Sequence, residues 1–485
     1  MDKIAFKILN YFSLYNKLNK EIKSSIWFTI CNFFQKGFQF LSIIIFTRLL
    51  IPEEFGKYTL YLSWFTIISS LSTLSLYADT FNIGYSKYKN KYNFYISIIG
   101  LSIFFVLLTG AISWLFRKNL PYILFQNDVI FVYFFIQLLC FTLLQFWSAQ
   151  QRFEYKYKAL VIVTFGQMLI TLFISLILLI FLDALALYLI IATSIGYLIV
   201  ALYVIYDIKN NIKFTFTTKY WKNSLWFALP LLPHYFAYMA LAQADRVIIG
   251  NIQGVEAAAY YGVAYQISQA VALIRISIHG SYLPWLYNQL KKEEYENIKF
   301  VTDRIALLLL TLIFIAILLG PETLKIFASN LYRDALWSMP PLILSAYYMF
   351  LFTVFMSVEL YFGNNNAVMI ASVSCAVINI MLDYLLLPYF EYYVIAYKTL
   401  ACYALLAFFH FYLCKKTLPY KLKIEKIFHY KKLFLYSNIG VICMCFYLFL
   451  YNYDIVRIIF IGIVLSLVIY NKNYVIQTIK SLKMN

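Results

Sequence analysis

Apolar runs of about twenty residues follow one another from Trp27 to Tyr470, separated by short polar segments that carry most of the lysines. About twenty apolar residues in a helix cover the roughly 30 Å hydrocarbon layer of a bilayer. A helix also satisfies its own backbone hydrogen bonds there. The pattern predicts helices at 27–49, 58–78, 94–116, 122–147, 159–181 and 184–206, then 225–248, 258–282, 302–320, 339–362, 367–388 and 391–413, and a last pair at 433–451 and 454–471. The fold class expected is an all-α membrane protein of about 14 transmembrane helices. Segment 1–24 and tail 472–485 flank a bundle at 25–206, a basic linker at 207–224, a second bundle at 225–413, a basic linker at 414–432 and the helix pair at 433–471.

The two predicted six-helix bundles echo each other. Trp27-Phe28, Thr47-Arg48, Gly56 and Tyr58 in the first correspond to Trp226-Phe227, Asp245-Arg246, Gly254 and Tyr260 in the second. Six helices per half return the chain to its starting side, so the expected relation is a parallel repeat. In transporters built this way the substrate site lies between the halves.

Composition agrees with the membrane reading: 63% of residues are hydrophobic and 13% charged, against about one quarter charged in soluble domains. The formal net charge of +18 would suggest nucleic acid in a soluble chain. Here the bases lie between apolar runs, so the positive-inside rule accounts for them and no nucleic-acid partner is expected. With the N-terminus inside, about 28 Lys and Arg residues fall on the cytoplasmic side against about seven outside. Lys3, Lys7, Lys17, Lys20 and Lys23, the 87–91 and 152–158 segments, both linkers and Lys472, Lys480 and Lys483 are all inside. Both termini are therefore expected in the cytoplasm and the chain in a bacterial inner membrane. Met1 to Lys23 is lysine-rich without a cleavage site, so the first helix is expected to be retained. The seven cysteines show no CxxC or Cys/His spacing and read as small buried hydrophobes. Neither a metal nor another cofactor is expected.

The stretch Pro230 to Tyr265, PLLPHYFAYMALAQADRVIIGNIQGVEAAAYYGVAY, resembles the seventh and eighth helices of polysaccharide flippases in the multidrug/oligosaccharidyl-lipid/polysaccharide (MOP) export superfamily. Phe362-Gly363-Asn364-Asn365-Asn366-Ala367 with Asn379 and Tyr384 resembles their tenth-to-eleventh helix junction. Gln35-Lys36, Thr47-Arg48-Leu49-Leu50 and Pro52-Glu53-Glu54-Phe55-Gly56 resemble their first helix and turn. The segment Pro388 to Tyr393 departs from the family, whose members often carry glycine-rich turn residues there. The resemblance covers most of 25–413. It implies an O-antigen or capsule repeat-unit (Wzx-type) flippase that moves an undecaprenyl-pyrophosphate-linked oligosaccharide outward, among membrane lipids and beside a polysaccharide polymerase and assembly proteins.

A charge at the bilayer centre costs about 2.5–3.5 kcal/mol on insertion scales, so each intramembrane charge needs a reason. Asn32, Gln35, Gln39 and Ser42 recur at helical spacing on the first run with Lys36 beside them. His234, Tyr238 and Asp245 line one face of the seventh run, and Tyr265, Ser268, Arg275 and His279 one face of the eighth. For a pyrophosphate-linked substrate, Lys36 and Arg275 are the expected headgroup contacts, because Arg offers paired donors to phosphate oxygens and Lys a compact charge. Asn32, Gln35, Gln39, Tyr265, His279, His234 and Tyr238 are candidates for sugar hydroxyls. Arg48 and Arg246 sit near outer helix ends, where snorkelling explains them, and Asp245 is expected to pair with a nearby Arg. Glu359, Asp383 and Lys398 are further candidates for coupling or structural charges.

No GxSxG, Walker loop or HExxH is present, so an enzyme is not expected, and an ion gradient, membrane potential or product removal must drive transport. The alternatives left open are a drug/cation antiporter of the same superfamily, a peptidoglycan-precursor flippase and a membrane glycosyltransferase or polymerase. The first would favour acidic cavity residues, and the last is disfavoured by short outer loops.

Overall fold

The structure, a computed structural model, describes residues 19–117, 127–211, 217–419 and 422–470. Lys3, Lys7, Lys17, Lys213, Lys421 and the tail from 471, with the roles expected of them, lie outside the described residues, as do the first residues of the run predicted at 122–147 and the side chains of Asn32, His234 and Tyr238.

The described residues hold helices and no strand. In chain order they are α1 (Lys20–Leu49), α2 (Pro52–Ser72), α3 (Asp79–Lys87), α4 (Lys91–Leu115), α5 (Asp128–Phe153), α6 (Tyr157–Phe181), α7 (Ala186–Asn211), α8 (Trp221–Ala228), α9 (Leu232–Ile252), α10 (Val255–Lys292), α11 (Tyr295–Leu318), α12 (Gly320–Phe327), α13 (Met339–Tyr361), α14 (Asn365–Leu386), α15 (Val394–Thr417), α16 (Ile424–Ile427), α17 (Tyr430–Leu450) and α18 (Asp454–Tyr470). Short 3₁₀ turns at Thr218–Tyr220, Leu229–Leu231 and Asn330–Ser338 join some of them.

Each predicted apolar run contains a helix among the described residues, and ten helices there are long and apolar enough to cross a membrane. The predicted spans at 58–78, 225–248, 258–282 and 454–471 are not among them. The second ends early, at Ser72 of α2; its last residues, 73–78, form a turn, and the separate α3 follows from Asp79. The seventh is interrupted at Leu229–Leu231, where Pro230 has no N–H to continue the ladder. The eighth is instead a 38-residue helix, about 57 Å long at 1.5 Å per residue, and its Gln266, Gln269, Arg275 and His279 lower its hydropathy. Large apolar side chains point outward along these helices, including Phe33, Leu107, Ile162, Phe173, Ile177, Ile442 and Phe449. A soluble protein would not display such a surface, and a bilayer removes its cost.

The chain forms two compact units, one of Met1–Leu50 with Leu60–Phe236 and one of Ile51–Thr59 with Ala237–Asn485. The N-terminal unit is built on aromatic packing of Leu76, Phe81, Tyr85, Phe94, Tyr95, Phe146 and Trp147. Two of its enclosed aromatic side chains place their polar ends on acceptors: Trp147 Nε1 donates to Asp207 Oδ2 at 2.8 Å and Tyr61 Oη to Gln137 Oε1 at 2.6 Å. Asn127 caps α5, accepting from the amides of Val129 and Ile130, and Asp128 in the first turn complements the helix dipole.

In the C-terminal unit α13 is buried along nearly its whole length and packs against α10, α11, α15 and α17. Gly56 and Gly254, matched in the sequence echo, do different jobs. Gly254 precedes α10 at φ +94°, which an L side chain resists. Gly56 lies inside α2, where a Cβ would run into the carbonyl of Val255. The glycine-poor turn at 388–393 is held by side chains: Gln253 Nε2 donates to the carbonyls of Leu387 (2.8 Å) and Phe390 (2.6 Å), and Tyr392 Oη to that of Asp334 (2.9 Å). Arg457 of α18 is buried between Glu322 and Asp454. Five cysteines are buried as expected, but Cys445 is exposed and Cys443 half-buried on α17.

Candidate functional site

The C-terminal unit brings three of the sequence-predicted charges into one cluster. Asp245 comes from α9, Asp383 from α14 and Lys398 from α15, all buried. Lys398 Nζ lies 3.0 Å from Asp245 Oδ1 and 2.6 Å from Asp383 Oδ1, and donates to the Asn379 carbonyl at 3.5 Å. Asp245 Oδ2 accepts from Tyr261 Oη and Thr399 Oγ1, each at 2.6 Å. With the Asn379 amide oriented as its neighbours require, its nitrogen donates to Asp245 Oδ1 at 3.1 Å and its oxygen accepts from Lys398 at 2.9 Å. Local sequence explains the convergence: Asn379 and Asp383 are one helical turn apart, and Lys398 and Thr399 are adjacent at the buried face of α15. With both carboxylates ionised the cluster holds one net negative charge. Asp383 Oδ2 has no hydrogen-bond partner among the described residues.

This corrects the pairing expected for Asp245, whose counter-ion is Lys398 and not an arginine. Arg246 also departs from expectation. It does not snorkel; it is 6% exposed, with its guanidinium carbon 4.4 Å from the Tyr265 ring centroid and Nη2 donating to the Ala242 carbonyl at 2.6 Å. The aromatic face takes the place of water around the cation. Tyr265, expected to meet sugar hydroxyls, is thus the platform for Arg246.

Arg275 is 8% exposed on α10. One turn on, His279 has a buried Nδ1 without a hydrogen-bond partner among the described residues. Ser268 on the same face donates to the Tyr265 carbonyl at 2.8 Å. Glu359 pairs with His410, a residue not singled out in the sequence, at 2.9 Å with both side chains fully enclosed. His410 also stacks on Phe352, with ring centroids 5.8 Å apart.

In the N-terminal unit, Lys36 and Gln39 are exposed on α1. Gln35 lines a crevice of about 70 Å³ with Gln145, Ser148, Arg152, Thr164 and Gln167 from α5 and α6. Arg48, in the last turn of α1, is exposed and donates to the Ile44 carbonyl at 3.1 Å, as a helix-end cation does.

A family profile described as "Polysaccharide biosynthesis protein" matches residues 22–290, more than half of the chain. Among solved structures, a lipid II flippase MurJ in an inward closed conformation superposes with a TM-score of 0.69 at 14% identity, covering 93% of this chain and 100% of that one. An inward-facing multidrug-resistance MATE transporter of the MOP superfamily superposes at 0.63 and 13% identity, covering 79% of this chain and 94% of its own. An outward-facing MATE transporter of that superfamily gives 0.53 at 13% identity, with coverages of 83% and 96%. No curated protein matches significantly. At these identities the likeness establishes the fold, and it is the one that the sequence resemblance implied.

Proposed function

Because the chain belongs to the polysaccharide biosynthesis protein family and has the MOP-superfamily fold, we propose that it is a flippase for an undecaprenyl-pyrophosphate-linked oligosaccharide, moving one O-antigen or capsule repeat unit from the inner to the outer leaflet of a bacterial inner membrane. The observation that carries this reading is the match of residues 22–290 to the polysaccharide biosynthesis protein family. Arg275 of α10 is the residue assigned to the pyrophosphate in this reading, because dense negative charge suits the paired donors of a planar fork. The saccharide headgroup passes through the protein by alternating access while the polyprenyl tail stays in lipid. Both termini are cytoplasmic. The polysaccharide polymerase and assembly proteins receive the product. Lys36, Gln35 and Gln39 of α1 belong to the same reading, as contacts for phosphate and sugar.

The cluster on α9, α14 and α15 serves as the coupling element. Three helices meet at a single buried ammonium, so a proton or small cation at the open oxygen of Asp383 alters the force that holds them together. This is a route by which an ion gradient reaches the backbone.

The test is deletion in a host without a second flippase. One surface polysaccharide should disappear, and its lipid-linked repeat unit should accumulate on the cytoplasmic face. Persistence of the polysaccharide with a change only in drug sensitivity would overturn the saccharide reading in favour of an antiporter. Accumulation of a peptidoglycan precursor instead would reassign the lipid-linked cargo.

A further inference from the structure

The turns between α3 and α4 and between α5 and α6 lie side by side in the N-terminal unit, joined by Tyr85 Oη donating to Glu154 at 2.5 Å. Between them is a cavity of about 810 Å³, lined by Asn82, Tyr85, Lys91, Tyr92, Arg152 and Glu154 with flanking aromatics. Its acid is already satisfied: Glu154 binds Lys156 at 2.6 Å and accepts from Tyr85 and, at 3.2 Å, from Gln150. Its two other cations are not. Among the described residues no carboxylate lies within 4.0 Å of Lys91 or Arg152, and the Lys91 ammonium rests 5.7 Å and 5.8 Å from the ring centroids of Tyr85 and Phe153.

Unpaired surface lysines are ordinarily just solvated, but three further observations set this pair apart. Lys91 opens α4 and Arg152 lies in the last turn of α5, so both sit where spanning helices end and where lipid phosphates lie. A second cavity of about 530 Å³ shares Tyr155 with the first and adds Lys20, Lys23, Lys156 and Lys158. Arg152 is also shared with the crevice of about 70 Å³ that runs inward past Gln145, Gln167 and Gln35. A cationic entrance therefore leads to a small crevice of amide and hydroxyl groups.

We infer that this cavity in the N-terminal unit binds a lipid-borne phosphate, with Arg152 and Lys91 as its two cationic contacts. Arg152 presents paired donors to the phosphate oxygens, and Lys91 adds a point charge from the opposite turn. Asn82 and Tyr92 supply neutral donors. The phosphate belongs either to an anionic phospholipid of the bilayer or to the pyrophosphate of a polyprenyl-linked cargo. The inference does not depend on which saccharide, if any, the protein carries.

The test is native mass spectrometry on the full-length purified protein with added phosphatidylglycerol, phosphatidylcholine, a polyprenyl pyrophosphate or inorganic pyrophosphate. Occupancy by one of the anionic lipids should fall about tenfold in the Lys91→Gln/Arg152→Gln double variant, while phosphatidylcholine occupancy stays unchanged. Lys91→Arg/Arg152→Lys should retain most of it. Loss confined to phosphatidylglycerol identifies a bilayer lipid, and loss confined to the polyprenyl pyrophosphate identifies cargo. Undiminished occupancy by both anionic lipids in the double variant would overturn the inference. Equal displacement by inorganic pyrophosphate would also overturn it, because the lipid would then contribute nothing. Should the double variant unfold, the single pair Arg152→Gln and Arg152→Lys, compared at equal thermal midpoint, gives the same reading.

Discussion

The Lys398 cluster and the Lys91–Arg152 cavity use the same charged groups in opposite ways. Lys398 is enclosed and has oxygens of Asp245, Asp383 and Asn379 around it, so its charge is spent within the protein. Lys91 and Arg152 border open space, and their one acidic neighbour is occupied by Lys156. The contrast separates two meanings of a cation in a membrane protein. A compensated cation holds helices together, whereas a cation left over is available to something that comes from outside.

The sharpest way to break this contrast is Lys398→Met. Two carboxylates would then face each other without a counter-ion, at a cost of about 3–5 kcal/mol, and membrane abundance and the thermal midpoint should collapse. Adding Asp245→Asn and Asp383→Asn should restore most of both, since a neutral cluster of similar volume is tolerated. Normal abundance of Lys398→Met would show that the cluster is not held by its ammonium. Next in size, Arg275→Ala should reduce transport about tenfold or more at normal abundance, and Arg275→Lys should recover part of it because charge returns without the planar fork. Arg275→Glu should be worse than Ala. Full surface polysaccharide in Arg275→Ala would remove this residue from the site.

The close packing of the C-terminal unit gives the third test. Gly56→Ala drives a Cβ against the Val255 backbone, which cannot swing aside, and should destabilise by about 1–3 kcal/mol. Gly254→Ala meets open space and bears only the positive φ, about 1 kcal/mol. Thermal unfolding of the two variants should rank them in that order, and the reverse order would place the close approach elsewhere.

The smallest effect is expected at Glu154. Burial alone would raise its carboxyl, but hydrogen bonds from Lys156, Tyr85 and Gln150 and the Lys156 charge outweigh burial and hold it below its ordinary 4.5. A depressed carboxyl stabilises the fold above its unfolded pKa, and that stability is lost as pH falls through the folded value. The thermal midpoints of wild type and Glu154→Gln should therefore differ most near neutral pH and converge below about 4.5. A gap that widens in acid would contradict the assignment.

Much of this was legible in the sequence. Apolar run length located the helices because a bilayer forces each segment to satisfy itself, and the same cost marked Asp245, Asp383, Lys398 and Glu359 as charges needing a reason. What periodicity could not give was who pairs with whom. Helical spacing reports which residues share a face and is silent about which other helix that face meets. Asp245 was therefore assigned to a neighbouring arginine when its partner is 153 positions away. Asn379 and Asp383, one turn apart, were the available signal for a second acidic face. His410 offered none, because a lone histidine in an apolar run looks the same whether or not a glutamate faces it. Arg246 was misplaced because position near a helix end says nothing of the aromatic ring beneath the guanidinium.

The 153-residue separation of Asp245 and Lys398 also bears on how the protein is made. At about 5–20 residues per second, the ribosome needs about 8–30 seconds to go from one to the other. Throughout that interval α9 carries a carboxylate whose counter-ion has not yet been synthesised, at about 2.5–3.5 kcal/mol if it sits at mid-bilayer. Final seating of α9 therefore waits on the arrival of α14 and α15, and nascent chains stopped before Lys398 should be the ones most exposed to membrane quality control.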